Sequence, residues 1–478
     1  EAQETTYVGL ESAIGELTEN DLSTALTRFF NSIGDVLNQP DSLAVRNMAV
    51  MQGGALTSEV RRLDTRVREM REATNDRMAN AAEEANTLVA EIGKLNRRVM
   101  EAEQGGQLFS DAVGLRDKRD AALQDLARII DIQVEEQASG AVNVFVNGDY
   151  LVFDGATQSV TVARNMDRGL PAVELRLSHS GGLVRASSGE LAGLLAARDG
   201  ILGQFLDDLD AFTKTLVFEF NKLHAGGQGM SGYRESLGLH AVADVDAPLD
   251  AAGLDFTPAH GSFQLVVADT QSGHRRTYDI AVQLTGLEGD TTLRDLATRL
   301  DAIDGLSASI TSAGKLRLTG ESSTVAFSFA NDTSGVLAAL GINAFFTGTD
   351  AMTIGVHGAL AADAGKLAMS RGGVGHDTLN GELLADFLSR PLKTAGGSSL
   401  SQIYERWMGN TSQASSLAAA TAEGFRAFHT TLEGEHLAMT GVSLDEEAVN
   451  MMAFQRSYQA SAKVIATISE MLDVLVNL

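Results

Sequence analysis

The alternation of apolar and polar residues is most regular in the last stretch of the chain, residues 441–478. Apolar side chains recur there every seven residues, and a second set lies four positions further on in the same repeat. This spacing is typical of an α-helix with an apolar seam, and neighbouring apolar side chains widen the seam into a stripe. The first set is Leu444, Met451, Tyr458, Ile465 and Leu472, the second is Ala448, Ala462 and Val476, and the neighbours are Phe454, Ile468 and Leu475.

Ser443 and Glu446 have the spacing of a capping box, which predicts that this helix begins at residue 443. Neither Gly nor Pro interrupts the sequence after Gly441, so the helix should extend for roughly 50 Å at 1.5 Å per residue. Periodicity alone allows two interpretations. The helix either folds onto its own domain as an ordinary amphipathic element, or it packs against more than one partner.

The first 130 residues also have a helical pattern. Residues 1–39 follow the three-and-four spacing of one buried face, and Pro40 breaks this pattern. A much longer helix should follow over residues 41–99, where the heptad register slips by one residue. The Gly53-Gly54 pair is expected to kink this helix near its start. A further helix is predicted over residues 110–130.

The period changes from helical to alternating after residue 130. Residues 142–146 and 150–153 flank Asn147-Gly148, which together predict a β-hairpin with a two-residue turn. Residues 160–163 and 173–177 have the composition of two more strands. These segments predict a small β unit.

Helical spacing returns over residues 188–225, and a block of five strand-like segments and one helix follows over residues 233–349. Ile354, Val356 and Leu360 resume β character and are expected to rejoin the first β unit. The predicted domains are an N-terminal helical rod part (1–130), the first part of a β-rich domain (131–187), a long helix packing back on the rod (188–232), an inserted α+β domain (233–349), a return segment of the β-rich domain (350–397), a C-terminal helical rod part (398–440) and a terminal helix (441–478).

Composition narrows the classes of function. Lys and Arg number 37 against 63 Asp and Glu, which gives a net charge of −26 and argues against binding to nucleic acid or anionic membranes. Cysteine is absent, so disulfides and thiolate chemistry are excluded. Apolar runs are too short to span a bilayer. The N-terminus lacks a secretion signal and an initiating Met, so the chain is expected to be a fragment or a processed form.

The motifs of common enzyme classes are missing, including the P-loop, H-E-x-x-H and G-x-S-x-G. His429, Glu433 and His436 could place three metal ligands on one helix face, but the exposed side of an amphipathic helix is the simpler interpretation. His224 precedes a Gly-rich turn, which favours the end of a helix over a phosphate loop. Trp407 is expected in a core or an interface. We therefore predict no catalytic, metal or cofactor site.

Several strings resemble the axial proteins of the bacterial flagellum, and among them the hook-associated proteins. At the C-terminus the matches are Gly441-Val442, LDEEA from Leu444, Phe454-Gln455 and YQASAK from Tyr458. Elsewhere they are Phe29-Phe30 with Pro40 and Arg46, LRDKRD from Leu115, SGEL from Ser188 with Arg198-Asp199, FNKLHAG from Phe220, and GINAFFTG from Gly341. One departure is that the helical segment preceding the family's equivalent of Tyr7 is not matched here, so residues 441–478 are expected to lack that helical partner.

The resemblance implies an α+β multidomain fold, in which a long coiled-coil-like helical bundle is formed from both ends of the chain and β-rich domains are inserted between them. It implies a structural role at the distal end of the hook, as a ring of identical subunits between hook and filament. The implied partners are hook protein, the second junction protein (hook-associated protein 3) and an export chaperone, and the implied location is extracellular, after flagellar type III export. Another rod or hook component and a secreted surface adhesin are the alternatives.

Eight apolar residues of the terminal helix form the predicted assembly interface, because only association with neighbours would remove them from water. They are Leu444, Met451, Phe454, Tyr458, Ile465, Ile468, Leu472 and Leu475. We expect the seam among them to serve incorporation into an assembly rather than the folding of residues 1–440.

Overall fold

The structure is a computed structural model that describes residues 1–15, 21–104, 112–373, 377–440 and 444–476. It contains two compact units, Glu1–Ser415 and Ser416–Leu478. The α-helices are α1 (Ala2–Ile14), α2 (Leu22–Asn38), α3 (Leu43–Gln104), α4 (Ala112–Ile129), α5 (Gly189–Leu195), α6 (Gly203–Ala225), α7 (Leu293–Asp301), α8 (Val336–Leu340), α9 (Gly358–Ala362), α10 (Leu379–Ala385), α11 (Leu400–Thr440) and α12 (Leu444–Val476). A π-helix (Ala196–Leu202) and two 3₁₀-helices (Ala364–Lys366 and Lys393–Ala395) complete the helical elements described.

The strands all lie between α4 and α9. They are β1 (Gln133–Glu136), β2 (Val142–Val146), β3 (Asp149–Phe153), β4 (Ala156–Thr157), β5 (Val160–Asp167), β6 (Leu170–Leu177), β7 (Glu235–Leu237), β8 (Gly261–Asp269), β9 (Arg275–Val282), β10 (Leu306–Ile310), β11 (Leu316–Gly320), β12 (Val325–Ala330), β13 (Phe346–Thr347) and β14 (Gly355–Val356). Long helices at both ends of the chain with small sheets between them confirm the predicted α+β multidomain class.

The beginning of the chain forms helices where the periodicity predicts them. Asp21 caps α2, since its Oδ1 accepts a hydrogen bond from the N–H of Thr24 at 2.6 Å. The helix ends before Pro40, which cannot supply the N–H that a continuing helix needs. Helix α3 then continues for 62 residues, through Gly53 and Gly54. Helix α3 contributes side chains to two of the cores of the first unit.

The first of three cores in this unit contains helices from both ends of the chain. Apolar residues of α1, α2, the first part of α3, α6 and the start of α11 are buried together there. In this core the rings of Phe205 and Trp407 lie 4.8 Å apart, and Phe212 contacts both Trp407 and Tyr404. Trp407 is only 6% exposed, which confirms that it is a core residue. The two ends of the unit thus lie side by side.

The second core follows the middle of α3 and holds the first β unit. Strands β1 to β4 form one antiparallel sheet in sequential order, and β5 and β6 form a separate two-stranded hairpin. The predicted turn joins β2 to β3, and both Asn147 and Gly148 have positive φ, at 51° and 85°. A two-residue turn of this kind requires that conformation, which Asn and Gly adopt most readily.

Three asparagines of α3 attach the β unit to the helix. Each side-chain amide accepts a hydrogen bond from one strand N–H and donates one to a strand C=O, as a neighbouring strand would. The distances are 2.7 and 2.8 Å between Asn86 and Val160, 3.1 and 2.7 Å between Asn96 and Val142, 3.1 Å from the Val173 N–H to Asn75, and 2.9 Å from Asn75 to the Pro171 C=O. The side of α3 that faces the β unit therefore carries three polar side chains, each hydrogen-bonded to strand backbone.

The helix predicted over residues 188–225 has a different local geometry in its middle. Helices α5 and α6 are separated by the π-helix. Within it, the buried Arg198 guanidinium binds the Asp199 carboxylate at 2.7 Å and the Val173 C=O at 2.6 Å. Its hydrogen bond to the hairpin backbone links this segment to strand β6.

The third core confirms the predicted strands and helix between residues 233 and 349. Two three-stranded sheets, in the orders β10-β11-β7 and β12-β8-β9, pack with α7 around one apolar cluster. A capping box starts α7, with reciprocal hydrogen bonds between Thr292 and Asp295. Strand β7 and the short helix α8 were not predicted, because neither shows a period long enough to detect.

The expected return of Ile354, Val356 and Leu360 to the first β unit is wrong. Strand β14 pairs with β13, and Leu360 lies in α9. Ile354 and Leu360 are buried in the first core with α2, α3 and α6, whereas the first β unit belongs to the second core. The apolar side chains of Ile354 and Leu360 pack in an aromatic core between helices rather than at the edge of a sheet.

The second unit contains the end of α11 and helix α12. Every described side chain from residue 445 to 475 is exposed to solvent. Ser443, the predicted capping residue, lies outside the described residues. Among the residues that are described, none of the helices combines the length and the low polarity that crossing a bilayer requires.

Candidate assembly interface

Three of the strings that carry the flagellar resemblance meet at the C-terminal end of α6. They are residues 29–30, 220–226 and 341–348, which lie far apart in sequence but contact one another at the boundary between the first and third cores. This joint connects the inserted block of residues 233–349 to the helices.

Asn221 holds the joint from the side of α6. Its Oδ1 accepts hydrogen bonds from the N–H groups of Phe345 and Phe346, both at 2.9 Å, and its Nδ2 donates to the C=O of Phe346 at 2.9 Å. Asn221 is 1% exposed, so these three backbone groups have no access to water as an alternative partner. The side chain fixes the path of the chain as it leaves the third core.

His224 lies one turn further along α6 and binds two other backbone groups. Its Nδ1 donates to the C=O of Asn343 at 2.8 Å, and its Nε2 accepts from the N–H of Ala368 at 3.1 Å. A carbonyl can only accept and an amide N–H can only donate, so the imidazole is neutral with its proton on Nδ1. Complete burial lowers the pKa of His224 from 6.5 to about 4, and the hydrogen bond to Asn343 opposes this shift only in part.

The Gly-rich turn after His224 is the end of a helix rather than a phosphate loop. Asn343 closes it by donating to the C=O groups of Ala225 and Gly227, at 3.2 and 3.0 Å. The Oδ1 of Asn343 accepts from the hydroxyl of Tyr233 at 3.0 Å. Its amide is thus fully used inside the fold, and the turn is closed by protein groups.

An aromatic cluster lies directly beneath these polar contacts. Phe29 contacts Phe220, Phe345 and Phe346 with ring centroids 5.3 to 5.6 Å apart, and Phe30 stacks on Phe387 at 5.7 Å. All of these rings are at most 4% exposed. Tilted and edge-to-face pairs of this kind add to the stability from burial alone. The strings at residues 29–30, 220–226 and 341–348 therefore have a structural role in this chain.

The predicted interface residues lie on α12. Leu444 is its first residue, and the remaining seven are between 51% and 77% exposed. From Met451 onward they follow steps of three, four and seven residues, so they share one side of the helix. That side is a continuous apolar stripe without a covering element among the described residues of its own unit.

Sequence reasoning missed part of the exposed apolar surface. Val449 and Met452 of α12 are 59% and 50% exposed on the opposite side of the helix, and Val464 is 57% exposed beside Ile468 of the stripe. On α11, Phe425 and Phe428 are 69% and 60% exposed. Spacing identifies which apolar residues share a side of a helix, but it does not show whether that side is covered.

The alternative of a metal site on α11 has no geometric support. The Nδ1 of His429 lies 3.6 Å from the Oε2 of Glu433, and both side chains are largely exposed. Within the described ranges, no group of three or more His, Asp or Glu side chains has an arrangement that could hold a metal ion.

Comparison with known protein families supports the resemblance of these sequence motifs to flagellar proteins. A family model described as the flagellar hook-associated protein FlgK helical domain matches residues 8–238. A second, described as the C-terminal region of the flagellar basal body rod FlgEFG proteins, matches residues 433–478, which include all of α12.

Curated relatives and a solved structure extend the likeness over most of the chain. Flagellar hook-associated protein 1 of Escherichia coli strain K12 is 24% identical over 96% of this chain and 81% of its own length. The Bacillus subtilis strain 168 protein of the same name is 23% identical over 98% of this chain and 78% of its own length. The flagellar hook junction protein FlgK from Burkholderia pseudomallei shares the fold, with a TM-score of 0.54 at 16% identity over 92% of this chain and 98% of that one. On the matched helical domain and on relatives that align along nearly its whole length, the chain is similar to flagellar hook-associated protein 1 (FlgK).

Proposed function

We propose that this chain is a structural component of the bacterial flagellum that joins the hook to the filament. It assembles at the distal end of the hook through helices from both ends of the chain. The observation that carries this proposal is the stripe on α12, a helix of 33 residues that exposes every described side chain from 445 to 475. A helix of this length with an apolar stripe gains most of its stability from packing against another surface.

The interface on α12 is formed by Leu444, Met451, Phe454, Tyr458, Ile465, Ile468, Leu472 and Leu475. Burying one large apolar side chain that was exposed contributes about 1.5 to 3 kcal/mol. The seven of these residues whose exposure is described would therefore supply on the order of 10 to 20 kcal/mol, from which the cost of ordering the partners must be subtracted. This contribution becomes available only after subunits meet.

The partners in this proposal are other copies of the chain in a ring, hook protein, the second junction protein (hook-associated protein 3) and an export chaperone. The chain reaches the cell exterior through the flagellar type III apparatus. In this proposal the chain acts without catalysis or a cofactor. The buried polar side chains of Asn221, His224 and Asn343 support this, because they bind backbone groups of the chain itself. The block at residues 233–349 is an inserted domain that the joint at α6 holds in place.

Electron microscopy of purified hooks incubated with the full chain tests the proposal. Tyr458→Gln combined with Ile465→Gln makes the stripe polar, because these side chains are 77% and 65% exposed on it. The matched control combines Val449→Gln with Met452→Gln, which lie on the opposite side of α12 and are 59% and 50% exposed. We expect the unmodified chain and the control to add to distal hook ends and the stripe variant to fail.

Two results would contradict the proposal. If the stripe variant unfolds the first unit, as measured by circular dichroism and Trp407 fluorescence, then the stripe serves folding rather than assembly. If the unmodified chain does not add to intact hook ends, its position at the junction is wrong. A rod or hook component or a surface adhesin then becomes the better candidate.

A further inference from the structure

Among the described residues of the first β unit, the β5–β6 hairpin is the part that contacts two different cores, one at each of its ends. Its base contributes Val160, Val173 and Leu177 to the second core. Leu170, at the tip, packs against the first core. A hairpin of two strands is at best marginally stable by itself in water. Its position must therefore be held by contacts with neighbouring helices.

The strongest contact at the tip is with Arg71 of α3. Its side chain is 1% exposed, and its guanidinium contacts the Asp167 carboxylate at the end of β5. The next carboxylate, on Asp199 of the π-helix, is 3.6 Å away. The Nε of Arg71 has no hydrogen-bond partner among the described residues. A buried guanidinium in this position depends strongly on the charge of Asp167.

Further contacts close the tip against α6 and the π-helix. Arg168 binds Asp207 of α6 at 3.0 Å and Asp167 at 2.8 Å. Arg198 of the π-helix binds the Val173 C=O at 2.6 Å. Burial raises the pKa of Asp167, but hydrogen bonds from Arg71 and Arg168 outweigh this effect, so the net pKa is lowered and the carboxylate stays charged. Two helices, α3 and α6, thus bind the hairpin tip, and the π-helix binds strand β6 further along the hairpin.

We propose that the hairpin is an ionic strap, in which Asp167 closes on the buried Arg71 and thereby holds the second core rigidly against the first. Without the charge on Asp167, the buried Arg71 keeps the more distant Asp199 as its charged partner, and the turn at residues 167–170 loses its ionic contact with α3. The strap opens at the tip first, because Asn86 continues to hold the base through both backbone groups of Val160.

Hydrogen–deuterium exchange read by peptide mass spectrometry tests this proposal with Asp167→Asn in the full chain. Asp167 is 41% exposed but Arg71 is buried, so removing the carboxylate leaves a buried guanidinium with weaker compensation, and exchange in residues 160–177 should accelerate by about tenfold or more. Peptides of the third core should keep their original rates. The matched control is Asp125→Asn, which removes the carboxylate of an exposed pair with Arg128 on α4 and should leave the hairpin unchanged.

A second variant separates loss of charge from loss of packing. Arg71→Met combined with Asp167→Leu removes both charges and keeps apolar volume, so it should return hairpin exchange to within about threefold of the original rate. The proposal is overturned if Asp167→Asn leaves hairpin exchange unchanged. It is equally overturned if exchange accelerates to the same extent in the third core, since this would indicate general destabilisation rather than an opened strap.

Discussion

Replacing Gly53 with alanine should destabilise the first core, whereas the same change at Gly54, the next residue of α3, should stabilise it. A Cβ at Gly53 would lie 2.6 and 2.7 Å from two ring carbons of Phe345 and 3.1 Å from a ring carbon of Phe29. A Cβ at Gly54 would meet nothing within 4 Å. The two positions thus share a helix and a substitution but differ in available space.

The magnitudes follow from two opposing effects. Alanine is favoured over glycine in a helix interior by up to about 1 kcal/mol, and this gain applies at both positions. At Gly53 the ring of Phe345 must also move, although Phe29, Phe220 and Phe346 surround it at 4.7 to 5.3 Å. Overpacking of this kind costs about 1 to 3 kcal/mol. We expect a net loss of roughly 1 to 2 kcal/mol for Gly53→Ala and a gain of up to about 1 kcal/mol for Gly54→Ala.

Urea unfolding followed by the fluorescence of Trp407 measures this difference, because Trp407 is the only tryptophan and lies in the same core. The midpoint should fall for Gly53→Ala and rise for Gly54→Ala. Shifts in the same direction for both variants would refute the reasoning, since they would mean that the contact with Phe345 does not limit this position.

Further predictions concern the joint and two buried ionisable groups. Asn221→Ala leaves three buried backbone groups of Phe345 and Phe346 unpaired at about 1 to 3 kcal/mol each, so the urea midpoint should fall well below that of the exposed control Asn410→Ala. Burial raises the pKa of Asp210, opposed by the Ala351 N–H and reinforced by Asp350 and Asp64. A raised carboxyl pKa stabilises the fold at low pH and loses that contribution as pH rises. In thermal melts, Asp210→Asn should therefore raise the Tm at neutral pH, and the difference should shrink toward about pH 4; an unchanged Tm at neutral pH would contradict this. The lowered pKa of His224, about 4, removes stability as pH falls below its ordinary value of 6.5. His224→Gln should flatten the melting temperature in that interval, and an equally steep curve would argue against a neutral His224.

Local signals made much of the fold predictable. The hairpin at Asn147-Gly148, the end of α2 at Pro40 and the strands of the third core depend on residues close in sequence, whose preferred backbone angles and periods survive in the folded chain. The sequence motifs shared with flagellar proteins pointed to the hook-associated proteins. The structural role of these motifs required the three-dimensional structure, because Asn221 and Phe345 are far apart in sequence and meet only after residues 233–349 have folded.

Other features have no local signal. The π-helix follows from the contacts of Arg198 and Asp199 with the hairpin, which a helical period does not reveal. Ile354 looked like a strand residue because a buried apolar run is compatible with either a sheet or a helical core. The stripe on α12 was predicted from spacing. The exposure of Phe425 and Phe428 was not, because periodicity does not show which neighbours are present.

The three asparagines on α3 also limit where the chain can gain or lose residues. Asn75, Asn86 and Asn96 follow one another at intervals of 11 and 10 residues, close to three helical turns, so they lie within about 80° of one another around the helix axis. One inserted or deleted residue between them would rotate every later amide by about 100° and move it off its strand. Insertions and deletions should therefore be tolerated in the turns of the β unit, such as the one at Asn147-Gly148, and be selected against between Asn75 and Asn96.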